Sequence, residues 1–174
     1  IVFYWLSAMN LPQKTTDECY LNLTVNDFQA DVSTISASFT VDNRPPEPDP
    51  AEIESTNVQS TATITWTAST GTDAHGPVEY RFASDAGTDT WNSSNTFTRV
   101  DLQSNTSYYA KVQIRDAYGN LTGWSQEFTT WTLANVPVVP SHSTQTTTSI
   151  TWTWNSGGSQ KDFYAWCTSP VDAS

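Results

Sequence analysis

The chain has 174 residues, room for one large domain or two of about 90, and a formal charge of -11 from 18 acidic against 7 basic side chains. That balance leaves no basic surface to neutralise a phosphate backbone or dock on anionic lipid, so neither nucleic acid nor a membrane surface is an expected partner. Eight Trp, seven Tyr and seven Phe among abundant Thr and Ser, with few Leu, Lys and Glu, favour strands over helices and predict an all-β protein.

In chain order, the first residues alternate bulky side chains, Ile1, Phe3 and Trp5 on one side and Val2, Tyr4 and Leu6 on the other. This stretch is too short for the apolar part of a signal peptide, and no run approaches the ~18 apolar residues of a membrane span. A turn-like segment, residues 27–33, leads to a strand carrying Phe39, and the prolines of residues 45–50 read as an extended linker that cannot form a central strand. Residues 61–68 then alternate, with Ala62, Ile64, Trp66 and Ala68 on one face, the period of a half-buried strand. Val78, Tyr80 and Phe82 repeat the pattern. So do Tyr108, Ala110, Val112 and Ile114, with Lys111, Gln113 and Arg115 pointing the other way. A second linker, residues 136–140, precedes Ile150, Thr151 and Trp152.

Internal repetition organises these elements. Ile64-Thr65-Trp66 recurs as Ile150-Thr151-Trp152 at an offset of about 86 residues, and residues 116–122 have a counterpart in 27–33 at about 89, each followed by a strand with Phe128 or Phe39. Short strands separated by Gly, Asn and Asp turns suggest a sandwich. With a linker proline, Trp66 in the second strand, Tyr80 in the third and the run Leu102-Gln103-Ser104-Asn105-Thr106-Ser107-Tyr108, the chain resembles the fibronectin type III family. The run looks like the family's tyrosine corner, and residues 116–120 with Trp124-Ser125 are similar to the final hairpin of bacterial members. The resemblance implies tandem fibronectin type III or immunoglobulin-like β-sandwiches with Trp66, Tyr80, Leu102, Tyr108 and Trp152 in their cores. One complete module, residues 46–135, would be flanked by the last strands of another, 1–45, and the first strands of a third, 136–174.

The two partial modules are complementary. From Trp152 through Ser174 and on from Ile1 to Tyr20 is about 42 steps, against about 43 from Trp66 to Tyr109 in the intact module. Joined in that order, residues 6–11 fall where 97–102 lie. Either a longer chain was cut at arbitrary points, or residues 136–174 of one copy and 1–45 of the next complete a shared sandwich, with Ile1, Phe3, Trp5 and Leu6 supplying an inter-subunit strand. Such a heterologous contact does not close and builds a filament. In the family topology Cys167 ends the third strand beside Cys19 at the start of the sixth. The pair is therefore a candidate inter-subunit disulfide, against buried or free thiols.

No catalytic constellation is visible. His75 and His142 stand in loop or linker sequence without ligands at metal spacing, and Asp73, Asp85 and Asp89 sit where Asp bonds its own turn. Glu47, Asp49 and Glu52 could donate oxygens to Ca²⁺, but no EF-hand spacing supports it. A non-catalytic protein without metal or cofactor is expected. Trp91, Trp124, Trp131 and Trp154 could form a platform for surface glycans, or pack at edges and junctions. Glycosylation sequons begin at Asn22, Asn92, Asn105 and Asn120, no more than so Ser/Thr-rich a chain gives by chance. The expectation is a secreted or cell-surface structural protein acting in spacing, adhesion or filament formation, its main partner further copies of itself. The alternative is a spacer or carbohydrate-binding module cut from a larger secreted enzyme or surface protein.

Overall fold

The computed structural model describes residues 4–136 and 141–153. Within them the chain is all-β apart from one helical turn, α1 (Ser7–Asn10). Seven strands make two facing antiparallel sheets: β5 (Ile53–Val58), β6 (Ile64–Ala68) and β9 (Thr96–Arg99) in the order β5-β6-β9, and β7 (Glu79–Ser84), β8 (Gly87–Thr88), β10 (Ser107–Arg115) and β11 (Phe128–Trp131) in the order β11-β10-β7-β8. This is an immunoglobulin-like β-sandwich.

Alternation along the strands puts its core in place. Ile64, Trp66 and Ala68 of β6 face Phe82 of β7 and Ala110, Val112 and Ile114 of β10, all seven fully buried. Phe97 of β9 stacks on Trp66 at 5.9 Å and on Phe82 at 5.3 Å, joining the two halves of the core. The polar atoms of the core aromatics are matched: the Trp66 indole N–H donates to the Phe128 carbonyl (3.2 Å) and the Gly71 N–H to the Tyr80 hydroxyl (2.7 Å). The Gln103 N–H donates to the Tyr108 hydroxyl (3.0 Å), tying the start of β10 to the preceding turn. β11 pairs with β10 only over residues 107–110. Further along, the Ser125 and Thr122 hydroxyls accept from the N–H groups of Val112 (2.9 Å) and Ile114 (3.0 Å), replacing the missing ladder bonds.

Residues 4–45 form a different arrangement. β1 (Thr15–Cys19) pairs with β4 (Phe39–Asp42), and β2 (Asn22–Asn26) with β3 (Asp31–Ile35), so the four strands are one long interrupted hairpin. Residues 4–6 carry no strand and lead into α1, a helical turn at the positions that the repeat aligns with β9 and its end. β12 (Ser141–Gln145) and β13 (Ile150–Thr153) form a separate hairpin.

The proline-rich stretch is not a free linker. Pro46 and Ala51 are buried, and Glu47 exchanges two backbone hydrogen bonds of 2.9 Å with Thr72. The Gly123 N–H donates to the Asp49 carboxylate (2.7 Å), and Arg44 pairs with Glu47 (2.6 Å). Proline excludes this segment from a central strand, but isolated backbone groups between the prolines still pair at the sandwich end.

Candidate functional site

Two features stand out against the closed sandwich. The first is an uncovered apolar face. In the β2–β3 hairpin Leu23 and Val25 lie on one side, Val32 directly opposite Val25, with Leu21 two residues before Leu23 on the same side. At the 89-residue offset of the repeat, Leu21, Leu23 and Val25 take the places of Ala110, Val112 and Ile114. Those three are 0% exposed beneath β6, whereas Leu21, Leu23 and Val25 are 59%, 45% and 61% exposed. Near the other end of the long hairpin Trp5 meets the Phe39 ring edge-on at 6.4 Å, and its indole N–H donates to Asn10 (2.9 Å).

The second feature joins these strands to the sandwich. His75, in the loop between β6 and β7, places Nε2 2.8 Å from the Asp17 carboxylate of β1 and Nδ1 3.1 Å from the Asp42 carboxylate of β4. Asp42 is fully enclosed and His75 is only 17% exposed. The other Asp42 oxygen accepts from the Thr15 hydroxyl (2.9 Å) and the Arg44 N–H (3.1 Å). Asp73 caps the same loop by accepting from the His75 N–H (2.8 Å), and the Tyr118 ring stands edge-on to the imidazole at 6.1 Å. The hydrogen bond to Asp17 raises the pKa of His75 against its partial burial, and Asp42 adds to the effect. Asp17 is lowered in turn by His75 and by the Thr40 hydroxyl. The Asn120 side-chain amide completes the junction, donating to the Asp42 carbonyl (2.9 Å) and the Asp116 carboxylate (2.7 Å).

The residues singled out from sequence are distributed as follows. Trp66, Tyr80 and Leu102 are buried and Tyr108 is half-buried against the core. Trp5 and Leu6 are exposed, and Cys19, half-buried at the end of β1, forms no disulfide among the described residues. Ile1, Phe3, Trp154, Cys167 and the side chain of Trp152 lie outside the described residues. Asn22 is exposed in β2; Asn92 and Asn105 are half-buried, Asn105 at positive φ. The amide nitrogen of Asn120 is committed to a contact between distant parts of the chain. Glu47 and Asp49 are engaged by Arg44 and Gly123.

Trp91 and Trp124 are not open platforms. The outward side chains of β7 and β10 build a ladder on them: Arg81 lies 4.6 Å from Trp91 and 5.2 Å from Trp124, Arg115 4.6 Å from Trp91, and Lys111 5.4 Å from Trp124. Trp131, by contrast, is 58% exposed at the end of β11.

No family model matches the chain, and no curated protein matches it. Solved structures similar to it include the Yersinia enterocolitica family 28 exopolygalacturonase (18% identity, TM-score 0.41, 52% of this chain and 20% of that one). The chitinase ChiA74 from Bacillus thuringiensis aligns at 21% identity and TM-score 0.40 over 50% of this chain and 14% of its own. Domains A168-A170 of titin align at 16% identity and TM-score 0.42 over 67% and 41%. The chain thus spans less than half the length of each, and likeness at this level carries no functional argument.

Proposed function

We propose that this chain is a non-catalytic extracellular structural protein of fibronectin type III-like modules, a subunit of a surface filament assembled head to tail by β-strand complementation. Residues 136–174 of one copy supply strands that cover the apolar face of residues 1–45 of the next copy. One observation carries the reading: Leu21, Leu23 and Val25 are exposed at the repeat positions where Ala110, Val112 and Ile114 are fully buried. In the sandwich the cover for those positions comes from β5, β6 and β9. The repeat of Ile64-Thr65-Trp66 at residues 150–152, in a β12–β13 hairpin, offers the matching cover.

Burying three such side chains at about 1.5–3 kcal/mol each would make the joint hard to undo. The net charge of -11 would keep the surfaces of the assembled fibre soluble and apart. Electron microscopy and sedimentation of the purified chain test the reading. Head-to-tail oligomers or filaments are expected, lost when Leu23 or Val25 is replaced by Asp. Discrete monomers at high concentration would sink it.

A further inference from the structure

The junction between the terminal strands and the sandwich has the donor set of a metal site. Asp42, Asp73 and His75 each offer one ligand atom, and the three atoms lie within 4.8 Å of one another. They arrive from β4 and from the loop between β6 and β7, so they converge only when the long hairpin docks on the sandwich. Nδ1 of His75 and the facing Asp42 oxygen are 3.1 Å apart. That is close to the roughly 3.4 Å edge of a tetrahedron built from zinc–nitrogen and zinc–oxygen bonds of about 2.0–2.2 Å.

Two further observations favour a cation here. The first is the outer shell. Asp17 binds Nε2 of His75 at 2.8 Å, on the side of the ring away from Asp42, and a Thr40 hydroxyl holds that carboxylate in turn (3.0 Å). A carboxylate accepting the distal N–H is the arrangement that fixes a ligating imidazole, because it leaves the other nitrogen's lone pair for the metal. The second is charge. Asp17, Asp42 and Asp73 bring three carboxylates together around one imidazole, His75, which pairs with Asp17 and Asp42, and among the described residues no Lys or Arg forms an ion pair with any of the three; Arg44, two residues after Asp42, spends its guanidinium on Glu47. Asp42, whose side chain has no exposure, shares His75 with Asp17, so a divalent ion would add charge that one imidazole cannot supply to three carboxylates.

We propose that Asp42, Asp73 and His75 bind one divalent cation of the zinc class, with Asp17 orienting the histidine, and that the ion pins the β1–β4 hairpin to the sandwich. Nδ1 of His75 and one oxygen each from Asp42 and Asp73 are the protein ligands. Water completes the tetrahedron from the side open to solvent. A borderline ion suits one imidazole with two carboxylates, whereas calcium would gain little from the ring.

The test is calorimetric titration of the full chain with zinc chloride near neutral pH, with calcium chloride in parallel. One equivalent of zinc is expected. Binding is lost in His75→Ala and in Asp73→Asn, the latter keeping an oxygen for the His75 N–H. Asp17→Asn, which changes the orienting group alone, weakens binding about 10- to 100-fold. Cys19→Ser leaves binding unchanged. His75 lies in a loop outside the core, and circular dichroism of each variant confirms that it is folded. The assignment is overturned if zinc does not bind, if its binding survives His75→Ala, if it is lost in Cys19→Ser, or if calcium binds as tightly and independently of His75.

Discussion

The side-chain amide of Asn120 donates to the backbone carbonyl of Asp42 at 2.9 Å, across 78 positions of sequence. This bond and the His75 contacts link the long hairpin to the loops at one end of the sandwich. Neither belongs to the core, so the junction and the sandwich should respond separately to mutation. Asn120→Ala is expected to cost about 0.5–1.5 kcal/mol for a lost hydrogen bond. Its main effect should be on orientation: amide relaxation by NMR should show residues 15–42 tumbling more independently of β5 to β11. A change in the relaxation of the core strands instead would refute this division.

The repeat supplies a matched pair of substitutions. Ile114→Ala removes a fully buried side chain from β10 and should lower the stability of the sandwich by about 2–5 kcal/mol. Val25→Ala, at the equivalent place in the uncovered hairpin, should stay within about 0.5 kcal/mol in the dilute monomer. Denaturant unfolding at low concentration measures both. If Val25→Ala destabilises the monomer as Ile114→Ala does, that face is already covered within one chain, and the complementation reading fails.

The strands were legible because their period is local. Residues 61–68 and 108–114 alternate clearly enough to place Ile64, Trp66, Ala110, Val112 and Ile114 on inner faces, which is where they lie. The junction was not legible. His75 looks solitary in sequence, since Asp42 and Asp17 stand 33 and 58 positions away and reach it only through docking of the hairpin. The proline run has the composition of an extended linker, which says nothing of the backbone bonds between Glu47 and Thr72. For Trp91 and Trp124, the outward direction of Lys111 and Arg115 was readable, but contact with the indoles depends on the register that sets Arg81 opposite Gln113 and Glu79 opposite Arg115.

Arg81 is the shared rung of that ladder. It touches both indoles, its terminal nitrogen donates to Gln113 (2.7 Å), and its buried Nε has no hydrogen-bond partner among the described residues. Stacking on the rings is therefore its principal compensation. Arg81→Met keeps the aliphatic bulk and removes the cation, so a loss of about 1–2 kcal/mol is expected. A double-mutant cycle with Trp91→Leu should show coupling, and an additive result would mean the rings and the guanidinium do not interact energetically.

Gly71 sits where the loop after β6 crosses the core. A Cβ there would come within 3.0 Å of Ile114 Cδ1, 3.1 Å of Ile114 Cγ2 and 3.1 Å of Val78 Cγ2, while the Gly71 N–H holds the Tyr80 hydroxyl. Gly71→Ala should cost about 1–3 kcal/mol through overpacking, measured by thermal unfolding. Shortening the neighbour should recover part of it: in Gly71→Ala with Ile114→Val the two effects should be less than additive. Full additivity would place the cost in the backbone rather than in the contact with Ile114.

At the tip of the uncovered hairpin, Asp27 accepts from the backbone N–H groups of Ala30 and Gln29, both at 2.9 Å, and these hold its pKa below the ordinary aspartate value, Ala30 contributing most. A depressed carboxylate stabilises the folded turn at every pH above its unfolded value and loses that contribution as the pH falls through its folded value. Acidification should therefore loosen residues 27–30 before the sandwich is affected, seen as faster exchange and shifted resonances of the Ala30 and Gln29 amides. Asp27→Asn keeps an accepting oxygen and cannot titrate, so the same amides should become insensitive to pH. Persistence of the pH response in that variant would assign it to another group.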